Sequence, residues 1–400
     1  MFSSIEDAIL EIKNGNMIIV VDDEDRENEG DLIIAAEFAD PEKINFMMKE
    51  ARGLICVPLS SNIAKSLDLN LSDQKYADHS QCNFTASVDY KIGTSTGISA
   101  HDRSATCKAL ASSSSKAKDF SRPGHIFPVL AKDGCTLVRA GHTEASIDLT
   151  KLAGLNNAAV ICEIINEDGT MARLPDLEKF AKKHNLKMIS IKDLIFFKRM
   201  NEKLVKREVE TNLETEFGNF KVVIFSNIID AFEHIALIYG DIQNKKDVLV
   251  RVHSECMTSE VFSSIHCDCK AQLHSAMDII SKNGSGVILY MRQEGRGIGL
   301  INKLKAYNLQ QNEGLDTVEA NEKLGFQADL REYGIGAQIL KDLGLTTIRL
   351  LTNNPKKIVG LEGHCLKVTK RIPIEFEAHF HTKKYLKTKK DKLGHLLSSV

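Results

Sequence analysis

Apolar positions recur along the chain in two rhythms, a helical one of period 3.6 and short unbroken extended runs, and their alternation predicts helices and strands together. Ile5, Ala8, Ile9 and Ile12 recur at helical spacing behind Ser3-Ser4-Ile5-Glu6, which fits a capping box. The turn at Asn14-Gly15-Asn16 then leads into a strand over 17–21, and another apolar segment covers 32–36. Further on, 158–165 reads as a buried strand, and Leu177, Phe180, Ala181 and His184 mark a helix face. The stretch 196–210 is densely charged and lacks Gly and Pro, which predicts a helical linker and a domain boundary near residue 200. Beyond it, strands over 220–225, 247–252 and Gly286–Met291 are separated by helical patterns at 272–280 and 301–308.

Composition narrows the classes. A chain of 400 residues exceeds what one hydrophobic core serves comfortably. Its 43% hydrophobic and 26% charged residues exclude disorder, collagen and coiled coil. No apolar run approaches the roughly 18 residues of a membrane helix. Net charge is −2, so no global field draws the chain onto nucleic acid or acidic lipid. The lysine-rich tail, 382–392, reads as a solvated helix face, with a nucleic-acid contact as the alternative. Glu6, Asp7 and Glu11 stand where a secretory signal would carry base. Cys56, Cys82, Cys107, Cys135, Cys162 and Cys365 lie singly and read as reduced core fillers, which points to a cytoplasmic protein.

Residues 22–31, Asp-Asp-Glu-Asp-Arg-Glu-Asn-Glu-Gly-Asp, hold seven carboxylates in ten positions between two apolar runs. Like charges so dense raise one another's pKa unless a cation intervenes, and hard divalent ions meet that need. A solvated acidic turn is the bland alternative. Glu163 interrupts the apolar run 158–165, and a buried carboxylate is costly without a partner. Arg139-Ala140-Gly141-His142-Thr143-Glu144 gathers an anion binder, an imidazole and a hydroxyl around a glycine, and Arg122-Pro123-Gly124-His125 adds a histidine on a turn.

Together with Asp-Gly-Thr-Met-Ala-Arg at 168–173, these strings resemble the signatures of 3,4-dihydroxy-2-butanone-4-phosphate synthase over residues 1–199. That resemblance implies conversion of ribulose 5-phosphate to the four-carbon phosphate and formate, with Mg²⁺ or Mn²⁺. By the same match Glu27 and His142 hold the metal. Arg26, Glu27, Asp31, Arg139, Ala140, Gly141, His142, Thr143 and Glu163 bind substrate, and His125 and Glu163 are catalytic.

Arg251-Val252-His253-Ser254-Glu255-Cys256 ends a strand, and Cys267-Asp268-Cys269 follows. Three thiolates at this spacing suit zinc, and three protein ligands leave the open position of a hydrolytic site. His253, His266 or Cys365 as a fourth ligand would instead close a structural one. Gln293-Glu294-Gly295-Arg296-Gly297-Ile298-Gly299 lies between a strand and a helix, where backbone amides can approach an anion. Thr352-Asn353-Asn354-Pro355-Lys356-Lys357 follows the strand-like Thr347–Leu351 and suits a triphosphate.

With Asp-Thr-Val-Glu-Ala-Asn at 316–321, these segments resemble GTP cyclohydrolase II over about 205–395. The resemblance implies opening of the guanine imidazole ring with loss of formate and pyrophosphate, to 2,5-diamino-6-hydroxy-4-(5-phosphoribosylamino)pyrimidine. It assigns Zn²⁺ to Cys256, Cys267 and Cys269. GTP falls to Arg251, Val252, His253, Ser254, Glu255, Gln272, Glu294, Gly295, Arg296, Thr317, Thr352 and Lys357, with Mg²⁺ on the triphosphate. Asp329 becomes the proton acceptor. Arg331 is the family's nucleophile, although a guanidinium is almost never deprotonated and charge stabilisation fits it equally. His266 and Lys270 depart from the family pattern without altering the cysteine spacing.

The expected architecture is α/β (α+β type), two domains at 1–199 and 200–400, each a mixed sheet with packed helices. The resemblance also implies a homodimer acting on small molecules, with no nucleic-acid or membrane partner. Two rivals stand beside this reading: one half reduced to a scaffold, or a zinc module that grips polynucleotide through the lysine-rich tail.

Overall fold

The elements gather into two units, Met1–Glu202 and Lys203–Val400. The computed structural model describes residues 2–24, 26–71, 82–326, 333–362, 366–375, 390–392, 394 and 396.

The first unit begins with α1 (Ile5–Lys13), β1 (Ile18–Val21), β2 (Gly30–Ala35), α2 (Pro41–Phe46), β3 (Cys56–Leu59) and α3 (Ser61–Ser66). It continues through β4 (Val88–Tyr90), α4 (Ala100–Ala111), β5 (Phe120–Leu130), α5 (His142–Leu152), β6 (Ala159–Glu163), α6 (Leu174–His184), β7 (Lys187–Ser190) and α7 (Ile191–Asn201). The first helix is capped by Ser4, which accepts from the Asp7 amide, not by the Ser3–Glu6 box expected from sequence. Ser3 is drawn away because its amide donates to Met188 O at 2.7 Å.

Seven strands form one mixed sheet in the order β4-β5-β3-β6-β2-β1-β7. Neighbouring side chains of β1 point to opposite faces: Ile19 and Val21 join one core with Leu32, Ile44, Leu110 and Leu177, while Ile18 and Val20 join another with Ile12, Ala145, Leu149 and Leu194. Helices therefore cover both faces, which is why these strands read as unbroken apolar runs.

In the second unit come β8 (Val205–Thr215), β9 (Gly218–Asn227), β10 (His234–Tyr239), β11 (Val248–Ser254), α8 (Met257–Glu260), α9 (Cys269–Asn283) and β12 (Gly286–Met291). Then follow α10 (Gly299–Glu313), α11 (Thr317–Lys323), α12 (Gly334–Asp342), β13 (Thr347–Leu351), α13 (Pro355–Glu362) and β14 (Lys367–Ile372). Their sheet runs β14-β13-β11-β12-β10-β9-β8. β11 is parallel to both β12 and β13, and the far side is an antiparallel meander of β10, β9 and β8. Each unit is thus the mixed sheet with packed helices that the sequence predicts.

The charged stretch 196–210 is not one helix. Helix α7 ends at Asn201, and from Val205 the chain is the edge strand β8, because β9 offers it an antiparallel partner along its whole length. Local composition could not reveal a partner that follows in sequence.

Candidate active sites

In the first unit the acidic string closes the hairpin of β1 and β2, with Val21 opposite Gly30. Asp22 folds it: its carboxylate accepts from the Glu29 amide at 2.8 Å, the Glu27 amide at 3.2 Å and the Arg26 guanidinium at 2.7 Å. The loop is therefore a built structure, and the solvated-turn alternative falls. His142 opens α5, is buried, and has Nε2 3.2 Å from Val20 O. Burial pushes its pKa down, towards the neutral imidazole that a metal ligand requires. Asp22, Glu27 and His142 place ligand atoms within 4.8 Å of one another. Asp22 was missing from the sequence-derived ligand set because seven neighbouring carboxylates look alike until the fold brings particular ones to His142.

Asp31 and Glu163 stand opposite each other across β2 and β6. Burial, then the neighbouring carboxylate, pushes Asp31 well up, and burial likewise raises Glu163. Glu163 Oε2 accepts from the Leu54 amide at 2.8 Å, whereas Asp31 Oδ1 is buried without a hydrogen bond, 3.8 Å from His142 Nδ1. Arg139 is paired with the buried Glu144 at 2.6 Å. Gly141 makes room for it, since a Cβ there would lie 2.4 Å from the guanidinium. Thr143 is buried beside His142, and Ala140 is exposed. His125 is the exception: its backbone amide and its Nδ1 both meet Asp89, at 2.8 and 2.7 Å, and none of its hydrogen bonds goes to the acidic cluster.

In the second unit three loops leave the carboxyl ends of three adjacent parallel strands. Cys256 follows β11, the glycine-rich segment follows β12, and Thr352 follows β13. Ligand sites of open parallel sheets lie at this edge. The loops enclose a cavity of about 320 Å³. Every described residue assigned to GTP from sequence lines it except Val252, whose side chain is buried in β11 and whose carbonyl accepts from Lys357 Nζ at 2.8 Å. Thr317 enters it as the first residue of α11. Asp329, Arg331 and Cys365 lie outside the described residues.

The sulfurs of Cys256, Cys267 and Cys269 lie within 4.8 Å of one another, with Cys256 and Cys267 3.6 Å apart. Ligands about 2.3 Å from a tetrahedral zinc stand about 3.8 Å apart, so the donor set fits that ion. Hydrogen bonds from Cys267 and Cys269 hold the Cys256 thiol far below its ordinary range. His253, whose pKa burial lowers to about 4, turns Nε2 to Glu260 at 2.8 Å and so is not turned to the thiols by that atom. Arg251 and Gln272 are hydrogen-bonded to each other. Gly295 and Arg296 both adopt φ near +65°, a left-handed pair that costs a non-glycine residue about 1–2 kcal/mol and marks a constrained turn.

Sequence reasoning missed Lys303, whose buried ammonium touches Cys256, Thr258 and Glu294. Nothing distinguishes it in the amphipathic pattern of its helix from a solvated lysine. Among the described residues no disulfide joins the cysteines, and no helix is long and apolar enough to cross a membrane.

Residues 6–197 match the family model of 3,4-dihydroxy-2-butanone 4-phosphate synthase, and 206–373 that of GTP cyclohydrolase II. The chain is 58% identical over 398 residues to the riboflavin biosynthesis protein RibBA of Bacillus mycoides (strain KBAB4), covering 100% of both chains. It is equally similar, 58% over the full length, to RibBA of Bacillus cytotoxicus (strain DSM 22905 / CIP 110041 / 391-98 / NVH 391-98). Among solved structures, RibBX of A. baumannii, a two-domain 3,4-dihydroxy-2-butanone 4-phosphate synthase, is 37% identical, with TM-score 0.68 over 92% of this chain and 99% of its own.

Proposed function

The chain belongs to the bifunctional riboflavin-biosynthesis family that joins a 3,4-dihydroxy-2-butanone-4-phosphate synthase, a lyase, to a GTP cyclohydrolase II, a hydrolase, and from that membership we propose how its residues carry out the two reactions. The observation that carries the first is the meeting of Asp22, Glu27 and His142, with the buried Asp31 set against Glu163 beside it. Glu27 and His142 would hold Mg²⁺ or Mn²⁺, with Asp22 at the same point. The ion would supply charge stabilisation for the enediolate of ribulose 5-phosphate.

Arg26 now bridges Asp22 and Glu27, at 2.7 Å from each. With an ion on those carboxylates the Arg26 guanidinium would be free for substrate, and Arg139 and Thr143 supply the remaining anion contacts. Glu163, half-buried and with its pKa raised by burial, is suited to take and return a proton at its carboxylate oxygen, and Asp31 faces the imidazole of His142 at 3.8 Å. His125 is oriented by Asp89 and reaches the reaction in the homodimer that the family resemblance implies.

For the second reaction the carrying observation is the three-sulfur cluster on the wall of a cavity lined by the GTP-assigned residues. Cys256, Cys267 and Cys269 would hold Zn²⁺, and the chemistry it would supply there is Lewis-acid activation of water for hydrolysis. Thr352, Lys357 and the glycine-rich turn receive the triphosphate with its Mg²⁺, and Asp329 and Arg331 complete the catalytic set. Cysteines outside any disulfide, among the described residues, agree with a cytoplasmic enzyme.

The test is formate release by the purified protein with Mg²⁺ and zinc, given ribulose 5-phosphate or GTP in separate tubes. Formate from both is expected. Formate from ribulose 5-phosphate alone, with three cysteines metal-loaded, would reduce the second half to a scaffold.

A further inference from the structure

Lys303 sits on α10 with its side chain buried, and its three hydrogen bonds join segments that are remote in sequence. Nζ lies 3.1 Å from Cys256 Sγ, 2.8 Å from Thr258 Oγ1 and 2.7 Å from Glu294 Oε1. Both oxygens of Glu294 are in turn hydrogen-bonded within the protein. Its Oε1 also accepts from the Gly295 amide at 2.9 Å, and its Oε2 accepts from the Met257 amide at 2.7 Å. Its place in the glycine-rich segment is that of an anchor, tying that segment to the loop of the first cysteine.

The geometry points to Lys303 as a positioning residue of the three-cysteine centre: its ammonium donates to the Cys256 sulfur and, through Glu294, locks the glycine-rich turn against the metal loop. The inference rests on reading the three cysteines as a zinc site. Three thiolates around a divalent ion leave one net negative charge in a poorly solvated pocket, and a buried ammonium in contact with one sulfur balances it. A hydrogen bond from a cation also withdraws electron density from the sulfur, so the ion it binds remains the stronger Lewis acid. Outer partners of this kind typically set metal affinity or activity by about 10–100-fold. A lysine present only to neutralise Glu294 would have no need to approach Cys256.

The experiment uses the full chain, loaded with cobalt(II) in place of zinc, and reads the thiolate-to-cobalt charge-transfer band. Zinc affinity is measured in parallel by chelator competition. Lys303→Met is expected to move the band to lower energy, because the sulfur loses the charge that stabilises its lone pairs, and to weaken zinc binding by about 10–100-fold. Lys303→Arg should restore the band towards its original position, and Glu294→Gln should leave it in place. Where Lys303→Met alone does not fold, the pair Lys303→Met with Glu294→Gln removes both buried charges together and is read in its stead. An unmoved band in a folded Lys303→Met or paired variant overturns the role, as does an equal displacement in Glu294→Gln. Failure of the unmodified protein to bind zinc, or to show the band with cobalt, would instead remove the zinc reading itself.

Discussion

Asp22 and Glu27 are chemically interchangeable with the carboxylates around them, yet Asp22 is buried and organises the acidic loop while Glu27 meets His142. Replacing Glu27 by Gln removes one anionic donor while keeping the shape. Formate from ribulose 5-phosphate should fall by about 100-fold or more, with formate from GTP unchanged; an equal loss of both would refute the assignment. Gly124 is a second decisive position. A Cβ there would lie 2.0 Å from Val88 C and 2.3 Å from Asp89 N, both backbone atoms that cannot swing aside. Gly124→Ala should separate β4 from β5, cost about 1–3 kcal/mol by overpacking and release His125 from Asp89. Denaturant midpoints and synthase rates should therefore drop together, with GTP turnover retained.

At the scale of elements, β8 is held to the end of α12 by Asp342, which receives Lys203 at 2.6 Å and Arg207 Nε at 2.6 Å. Burial pushes the Asp342 carboxyl up, but the hydrogen bonds from Lys203 and Arg207 outweigh it and leave its pKa below the ordinary value. A depressed carboxyl stabilises the fold above its unfolded pKa of about 3.9, and that contribution is lost as pH falls through the lower folded value. Asp342→Asn should accordingly cost up to about 1 kcal/mol at neutral pH, discounted for the exposure of both cations. The gap to the unmodified protein should close in urea titrations below about pH 4. A gap that persists at low pH would mean that packing, not charge, is responsible.

Across the whole molecule, the two units carry different candidate donor sets, oxygens and imidazole in one and thiolates in the other. Thiolates select zinc, whereas carboxylates suit Mg²⁺ or Mn²⁺. A chelator selective for zinc, used with excess Mg²⁺, should abolish formate from GTP and spare formate from ribulose 5-phosphate. Loss of both, or of neither, would contradict the division of metals.

Much of this is legible in the amino-acid sequence alone. The acidic string, the Cys256–Cys267–Cys269 spacing and the glycine-rich turn are local strings whose chemistry follows from residue type, and the short apolar runs marked most of the strands. What required tertiary structure was everything decided by a partner distant in the chain. The pairing with β9 turned half of an apparent helix into β8. The amides of Glu27 and Glu29 singled out Asp22, the register of β2 on β6 set Asp31 against Glu163, and Asp89 claimed His125. Lys303, indistinguishable in sequence from a solvated lysine, came to lie 3.1 Å from a sulfur 47 residues earlier. Residue type sets what a group can do, but desolvation and the nearest charge decide which of several identical groups does it, and both arise only when distant segments meet.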